Sequence, residues 1–483
     1  MGLRFALGSL LVVVLTVAGV VGVALTILHE EFRHFRPQPV DPRIGEVLEP
    51  VAAGRPQTIL VLGSDKRWGD RKTGRPVRSD TMMVVHLDPD RAATAVLSLP
   101  RDLLVEVPGH GRRRINEAYS LGGSKLAVDT VNELGLGVNH VIGVDFGGFK
   151  RAVKRLGCVY VDVDRRYFND NDPPVASTES YATIDLQPGY QLLCGQDSLD
   201  YVRFRHLDDD FVRAARQQDF LRQAKGQIGV SRALGDRRAL LKIFSDYSES
   251  DLSEASDAEI FGMLKLVYAS SKHPVRQVPF PPTERQADES LVVSPARLRR
   301  TIATFERVGE ATSPGSRART RPRRARPADD SARAATGVVE DRIGGENHVL
   351  VLATKLGDRL PVYFPGTRLA RGGYVRESPR RYEIEHRDGS SHPAYRIVLA
   401  HGDNGQYYGV QGTTWRSPPI LAERSTQRRM RGRTYRVYRE GAAIRHVAWR
   451  TKRGVYWVSN TLSGRLTNAQ MLAVARSLIR VGR

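Results

Sequence analysis

The 483 residues, 41% of them hydrophobic, exceed one small domain and are enough for two or three with cores of their own. With 74 Lys and Arg against 53 Asp and Glu, the formal net charge is +21, which favours an anionic partner. It points to nucleic acid, phospholipid or a phosphorylated polymer. Part of that charge is concentrated in the low-complexity stretch SRARTRPRRA, so the excess is not all a property of a folded surface.

Residues 1–29 hold the uncharged run FALGSLLVVVLTVAGVVGVALTIL, Phe5 to Leu28, long enough to cross a bilayer as a helix. A cleaved signal peptide has a shorter apolar core and a small-residue cleavage site. No Ala-x-Ala is found here, which favours a retained, single-pass anchor in the cell membrane. The short tail bearing Arg4 would stay cytoplasmic, leaving the body of the protein extracytoplasmic. Residues 30–56, with Pro37, Pro39, Pro42 and Pro50, read as a stalk.

Residues 57–310 alternate between strand and helix patterns, which predicts an α/β sandwich with a mixed central sheet. TILVL is a continuous apolar run of the kind buried on both faces of a sheet. RSDTMMVVHLDPD and TAVLSLPRDLLVEVPG follow as two more strands, with a hairpin turn at Asp88 to Asp90. Ile115 to Leu134 is helical in period, interrupted at Gly122 and Gly123 and closed by Gly135. HVIGVDF, GGFKRAVKRLG and VYVDVD then read as strand, helix and strand. TIDLQPGYQLLCG reads as a hairpin, and QDSLDYVRFR as a short helix. Further amphipathic helices are expected at 233–245, 257–270 and 294–307.

Residues 203 to 218, RFRHLDDDFVRAARQQ, lead into a helix on which Arg213, Arg216 and Gln217 share one face. Phe220, Leu221, Ala224 and Ile228 continue that face, so the first-turn arginines point inward. Asp208 to Asp210 sit where N-capping acids belong. Inward guanidinium groups at a helix start suit a phosphate or pyrophosphate. The plain alternative is a solvated, salt-bridged helix, as most charge runs turn out to be.

Residues 311–347, rich in Pro, Arg, Ala and Gly, read as a basic flexible linker. Residues 348–483 read as a separate α+β domain of short strands, HVLVLATK first among them, closed by the helix NAQMLAVARSLI. Tyr407, Tyr408, Trp415, Tyr456 and Trp457 could face a polymer, though alternating aromatics in strands more often form core. The two cysteines, Cys158 and Cys194, form an even count in an exported chain and suggest one disulfide, two buried free thiols being the alternative.

Three charged clusters fall at predicted strand ends: Ser64-Asp65-Lys66-Arg67, Arg78-Ser79-Asp80-Thr81 and Pro100-Arg101-Asp102. Ligands of open α/β sheets settle at such ends. An antiparallel pairing would put Asp65 and Asp80 at one edge, where two carboxylates could hold a divalent cation with several waters. Arg101 can reach the same rim, and with Arg205, Arg213 and Arg216 the set suits a pyrophosphate and phosphoryl transfer. Taken singly, each cluster could be ordinary loop aspartates paired with neighbouring arginines. No Gly-x-Ser-x-Gly, GxxxxGK[ST], HExxH or CxxC occurs to favour another chemistry.

The ordered series LVLGSDKR, RSDTMMVVHLDP, VLSLPRD, RINEAYSLGG, YVRFRH and DDFVRAARQQDFL resembles the LytR–CpsA–Psr family, over roughly residues 57 to 230. The resemblance implies a membrane-anchored phosphotransferase. It would move a glycopolymer from a polyprenyl-pyrophosphate carrier to a peptidoglycan hydroxyl, with magnesium or manganese assisting and pyrophosphate cleavage as a side activity. It implies Asp65 and Asp80 as metal ligands and Arg101, Arg205 and Arg213 as the pyrophosphate grip. Arg78, Arg203, Arg216 and Gln217 belong to the same surroundings, with Asp102 orienting Arg101. It also implies a lipid groove walled by the helices at 115–134 and 147–157. The chain departs from the family pattern in a short loop at His206 to Asp210 and in Val212, where glycine is common; residues 348–483 match no appended domain of the family. A protein that binds the lipid phosphate or wall polymer without turnover is the other reading, but the acidic pair favours an enzyme, since pure anion capture gains nothing from carboxylates. Nucleic acid as the partner conflicts with the anchor and the disulfide.

Overall fold

A computed structural model describes residues 30, 36–52, 54–64, 79–91, 93–171, 183–204, 210–228, 235–271, 273, 275–308, 337–402 and 405–482. The chain divides into two compact units, one from residues 1–156 and 230–311, the other from 157–229 and 312–483. Among the described residues no helix is long and apolar enough to cross a membrane, and the expected anchor at 1–29 lies outside them.

The first unit is built on a six-stranded mixed sheet. Its middle is β1 (Gln57–Ser64), β2 (Ser79–Asp88) and β3 (Ala93–Leu99), with β4 (His140–Asp145) beside β1. Ser248–Ser250 lies outside β4 and Val275–Gln277 outside β3. β1 runs parallel to β4, and β3 parallel to Val275–Gln277; the other pairs are antiparallel. Both faces are covered, which is why these strands read as unbroken apolar runs. Ile59, Val61, Val85 and Leu87 pack with Ile260, Met263 and Leu266 of the Asp257–Ser271 helix. On the other face Leu60, Leu62, Val84 and Leu97 are buried, and α1 (Ile115–Glu133) lies against β2. α1 is broken where expected: Gly123 has φ 61°, ψ −154°, a conformation essentially restricted to glycine.

The stalk expectation needs correction from residue 36 onward. Gln38 exchanges backbone hydrogen bonds with Ser248 and Ser250 at 2.9 Å, and Arg36 Nη1 donates to the carbonyls of Ser253 and Ala255. Glu49 N donates to Val138 O at 2.8 Å. Prolines spaced through this stretch leave enough donors to lie along a sheet edge, so it is part of the unit.

The second unit is organised by a seven-stranded antiparallel sheet. Between 157 and 228 it holds β5 (Val159–Val163), β6 (Gly189–Leu193), α2 (Gly195–Arg203) and α3 (Asp210–Gln227). After residue 336 come α4 (Arg342–Leu356), β7 (Arg380–Glu385), β8 (Ser391–Ala400), β9 (Tyr407–Thr413), β10 (Ser425–Met430), β11 (Arg433–Glu440), β12 (Ala443–Arg450), β13 (Val455–Ser459) and α5 (Asn468–Arg476). The sheet order is β7-β8-β9-β13-β12-β11-β10. One face carries α4 and α5, through Val349, Leu352, Leu356, Met471 and Val474 against Tyr395, Val410, Val447 and Val458.

The opposite face is covered by earlier chain: Tyr160 of β5 and Tyr190 of β6 share a core with Tyr382, Ile384, Trp415 and Trp457. The C-terminal strands therefore do not make a body by themselves, contrary to the separate domain expected at 348–483. Tyr408, Trp415, Tyr456 and Trp457 are buried, in keeping with core and not a polymer-facing surface. Each such aromatic buries on the order of 150–250 Å². At about 25 cal/mol per Å² that is a gross stabilisation of about 4–6 kcal/mol apiece.

Two local expectations also fail. HVLVLATK is not a strand but lies within α4: Gly345, Val349, Leu352 and Leu356 face inward while Leu350 and Val351 are exposed. An unbroken apolar run hides its period, so helix and strand cannot be told apart from it. TIDLQPGYQLLCG is not a hairpin: Ile184–Leu186 pairs with Tyr167–Asn169, and β6 pairs with β5. Gly189 turns the chain between them, with φ 131° and the Tyr382 ring where a Cβ would stand. The expected linker also ends early, since Val338–Glu340 pairs with Thr367–Leu369; its residues 309–336 lie outside the described residues.

Cys158 and Cys194 form a disulfide, tying the start of β5 to the N-cap of α2.

Candidate functional site

The candidate residues fall in both units, and each set has its own local geometry. In the first unit the sheet register sets the geometry. Leu62 is opposite Met82 and beside Gly143, and Met82 is opposite Leu99. Everything beyond that row lies at one end of the sheet: Ser64 of β1, the Ser79-Asp80 start of β2, Pro100-Arg101 after β3, and Asp145 closing β4. This is the carboxyl end of the parallel pair β1 and β4, where open α/β sheets take their ligands. The pairing slips between Gly63 and Ser64, so that Thr81 and Ser79 are partnered and Asp80 stands in a bulge. Bulges of this kind re-aim a side chain next to a site.

Arg101 and Asp102 form an ion pair at this end, Nε to Oδ2 3.4 Å, each about one-fifth exposed. Asp102 also faces Arg114 at 3.7 Å. The backbone is fixed from both sides: Asn116 N donates to Arg101 O and Leu291 N to Asp102 O. Sequence reasoning assigned no role to Arg114, although it opens the RINEAYSLGG motif; its place beside Asp102 depends on the Leu104–Val107 and Gly111–Arg114 hairpin bringing it back. Asp65 and Arg78 lie outside the described residues, and at Asp80 the description extends to the backbone. Among the described residues no three His, Cys, Asp or Glu side chains gather as a metal site. The β1–β2 register pairs Ser64 with Ser79, the positions next to Asp65 and Asp80.

The second unit supplies the arginine helix, α3, with Arg203 at the end of α2 and Arg205 outside the described residues. Arg213 is buried in the first turns of α3, 6% exposed, as its inward phase predicts. Arg216 is completely buried. Its Nη1 donates to Tyr201 O at 2.9 Å and Phe204 O at 2.8 Å. Its guanidinium lies over the Tyr167, Tyr201 and Phe204 rings. Gln217 Nε2 donates to Val202 O at 3.1 Å. Together the two side chains satisfy carbonyls that the end of α2 would otherwise leave unpaired. Arg213, Arg216 and Gln217 thus share a side of α3, yet the last two clamp the end of α2.

Further along α3, Asp219 is buried between Arg222, one turn on, and Arg445 of β12. Burial pushes the Asp219 carboxyl up, but the two guanidinium charges outweigh it and hold the group below the usual carboxylate range. Arg445 also approaches Glu440 at 3.4 Å and donates to Leu462 O at 3.1 Å. At the far end of the helix, Gln227 pairs with both backbone groups of Tyr160, at 2.8 and 2.7 Å.

The chain is 30% identical over 202 residues to the polyisoprenyl-teichoic acid–peptidoglycan teichoic acid transferase TagU of Enterococcus faecalis. That alignment covers 41% of this chain and 62% of the relative. It is 33% identical over 165 residues to the TagT transferase of Bacillus subtilis, covering 34% of this chain and 50% of the relative. The chain thus spans about half to three-fifths of the length of these curated relatives. Among solved structures, that of B. subtilis TagV aligns at 25% identity and a TM-score of 0.41, over 53% of this chain and 97% of that one. The sequence profile of the LytR_cpsA_psr family matches residues 30–302, more than half of the chain, and the chain belongs to that family.

Proposed function

We propose that this chain transfers a glycopolymer from a polyprenyl-pyrophosphate carrier to a hydroxyl of peptidoglycan. The observation that carries the proposal is the gathering of Asp80, the position next to Asp65, and the Arg101–Asp102 pair at one end of the sheet, in a member of a family whose named relatives include teichoic acid transferases. The acceptor oxygen attacks the phosphorus that bears the glycan. The P–O bond to the second phosphate breaks, and polyprenyl phosphate leaves. The hydroxyl proton passes to a carboxylate, for which Asp102 and Asp210 are the candidates. Such a reaction needs positioning and charge stabilisation more than covalent help.

Arg101, Arg205 and Arg213 are assigned to the pyrophosphate oxygens, with Arg78 and Arg203 as flanking cations and Asp102 orienting Arg101. Arg216 and Gln217 are assigned a position behind them, because their hydrogen bonds go to backbone carbonyls. A magnesium or manganese ion on Asp65 and Asp80 would neutralise charge on the pyrophosphate. The segment Phe5–Leu28 would hold the chain in the cell membrane, with the catalytic residues extracytoplasmic beside the carrier lipid. The disulfide supports that side of the membrane, since such bonds persist in oxidising compartments.

The test is the full chain in detergent with a polyprenyl-pyrophosphate-linked glycan, magnesium and peptidoglycan. Transfer is expected, with slow pyrophosphate cleavage when the acceptor is omitted. Arg213→Ala and Asp80→Ala should each lower the rate by about 10²-fold or more, as loss of a charge-stabilising group does. Full activity in both variants would sink the assignment. Tight lipid binding without any turnover would make the chain a carrier-binding protein instead.

A further inference from the structure

Residues beyond 302 lie outside the family match, yet some of them are partners of the arginine helix. Two contacts fasten α3 to the C-terminal region, and a third bond joins the residues that make them. Arg445 of β12 ion-pairs with Asp219 in the interior of the second unit. The same side chain donates through Nη1 to the carbonyl of Leu462. Leu462 in turn closes a small buried cluster with Val212 and Ala215, the residues on either side of Arg213 and Ala214.

Val212, Ala215 and Asp219 fall within about 60° of one another around the helix, and Arg213 projects about 100° away from Val212. The stripe gripped by the C-terminal strands therefore sets the roll of the helix, and the roll sets where the Arg213 guanidinium points. A roll of about 20° moves a group at the side-chain radius of about 5–6 Å by about 2 Å. A displacement of about 1 Å already costs on the order of 10²-fold in rate.

We propose that Arg445 is a positioning residue for Arg213, acting through Asp219 and Leu462 to fix the roll of the arginine helix. This gives the unassigned C-terminal region a role in the chemistry, and it rests on the transferase reading. Asp219 keeps Arg222 when Arg445 is removed, so the carboxylate is not left alone and the helix can still form. What is lost is the charged link between Asp219 and β12.

The experiment uses the full chain in detergent with the polyprenyl-pyrophosphate-linked glycan and peptidoglycan. Arg445→Gln and Leu462→Ala should each lower kcat by about 10-fold or more while KM for the acceptor moves by less than about 3-fold. Arg445→Lys, which keeps the charge opposite Asp219, should recover part of the loss. Tyr435→Phe is the control: it removes a hydroxyl that donates to Ala475 O at 3.0 Å in the same unit, on the side that carries α5. It should lower the unfolding midpoint with kcat kept within about 2-fold. Equal kcat losses in Arg445→Gln and Tyr435→Phe, or an unchanged kcat in Arg445→Gln and Leu462→Ala, would overturn the proposal. If the unaltered chain does not turn over, the transferase reading falls. Positioning is then read from affinity for the lipid pyrophosphate: weakening in Arg445→Gln but not in Tyr435→Phe supports it, and equal affinities overturn it.

Discussion

Arg216 carries its charge with no exposure to solvent, and it is stable there because it lies on three aromatic rings and hydrogen-bonds two carbonyls at the end of α2. Its inward phase on the helix was plain from the sequence. Its target was not, because an inward arginine looks the same in sequence whether it meets a phosphate or a carbonyl. Replacing Arg216 by Met would leave both carbonyls buried and unpaired, each costing about 1–3 kcal/mol. A loss of about 2–4 kcal/mol in urea unfolding is therefore expected. An unchanged midpoint together with lost affinity for the lipid pyrophosphate would instead put Arg216 on the ligand.

At the scale of elements, most strands and helices of the first unit were legible, down to the glycine break in α1, because their apolar periods are clear and their turns carry Asp, Pro and Gly. Elements whose pairing is decided at a distance were not. Ile184–Leu186 and β6 are separated by a short Gln-Pro-Gly turn, yet each takes a partner from far upstream. The disulfide belongs to this scale: it joins β5 to α2 across a sequence separation of 36. Closing a loop of that length constrains the unfolded chain, and its loss is worth about 2–4 kcal/mol. The double substitution Cys158→Ser with Cys194→Ser should lower the unfolding midpoint accordingly. Tryptophan fluorescence can follow it, since Trp415, Trp449 and Trp457 all lie in this unit. Identical midpoints with and without the bond would show that α2 and β5 are held by packing alone.

For the whole molecule, the division into units cuts across the order of the chain. Residues 157–228 pack with strands that follow residue 380, so the family match, which ends at residue 302, does not coincide with a structural boundary. A chain ended at residue 310 would strip Tyr160 of Trp415, and Tyr190 of Trp415 and Trp457. It would also leave Asp162 without Arg396, which it meets at 3.0 Å, and Asp219 without Arg445. Limited proteolysis should then cut 157–228 rapidly while 93–156 and 275–308 stay protected; equal protection throughout would refute this dependence. By itself, the sequence determined the alternating α/β core, the strand-end acids and bases, the inward arginines and the family, because these depend on local period and spacing. Only the tertiary structure decided that Arg216 and Gln217 serve the end of α2, that Arg114 joins Asp102, and that the C-terminal sheet holds the arginine helix. Those outcomes depend on which distant surface each element meets, and burial and charge pairing choose that surface only once the chain has closed on itself.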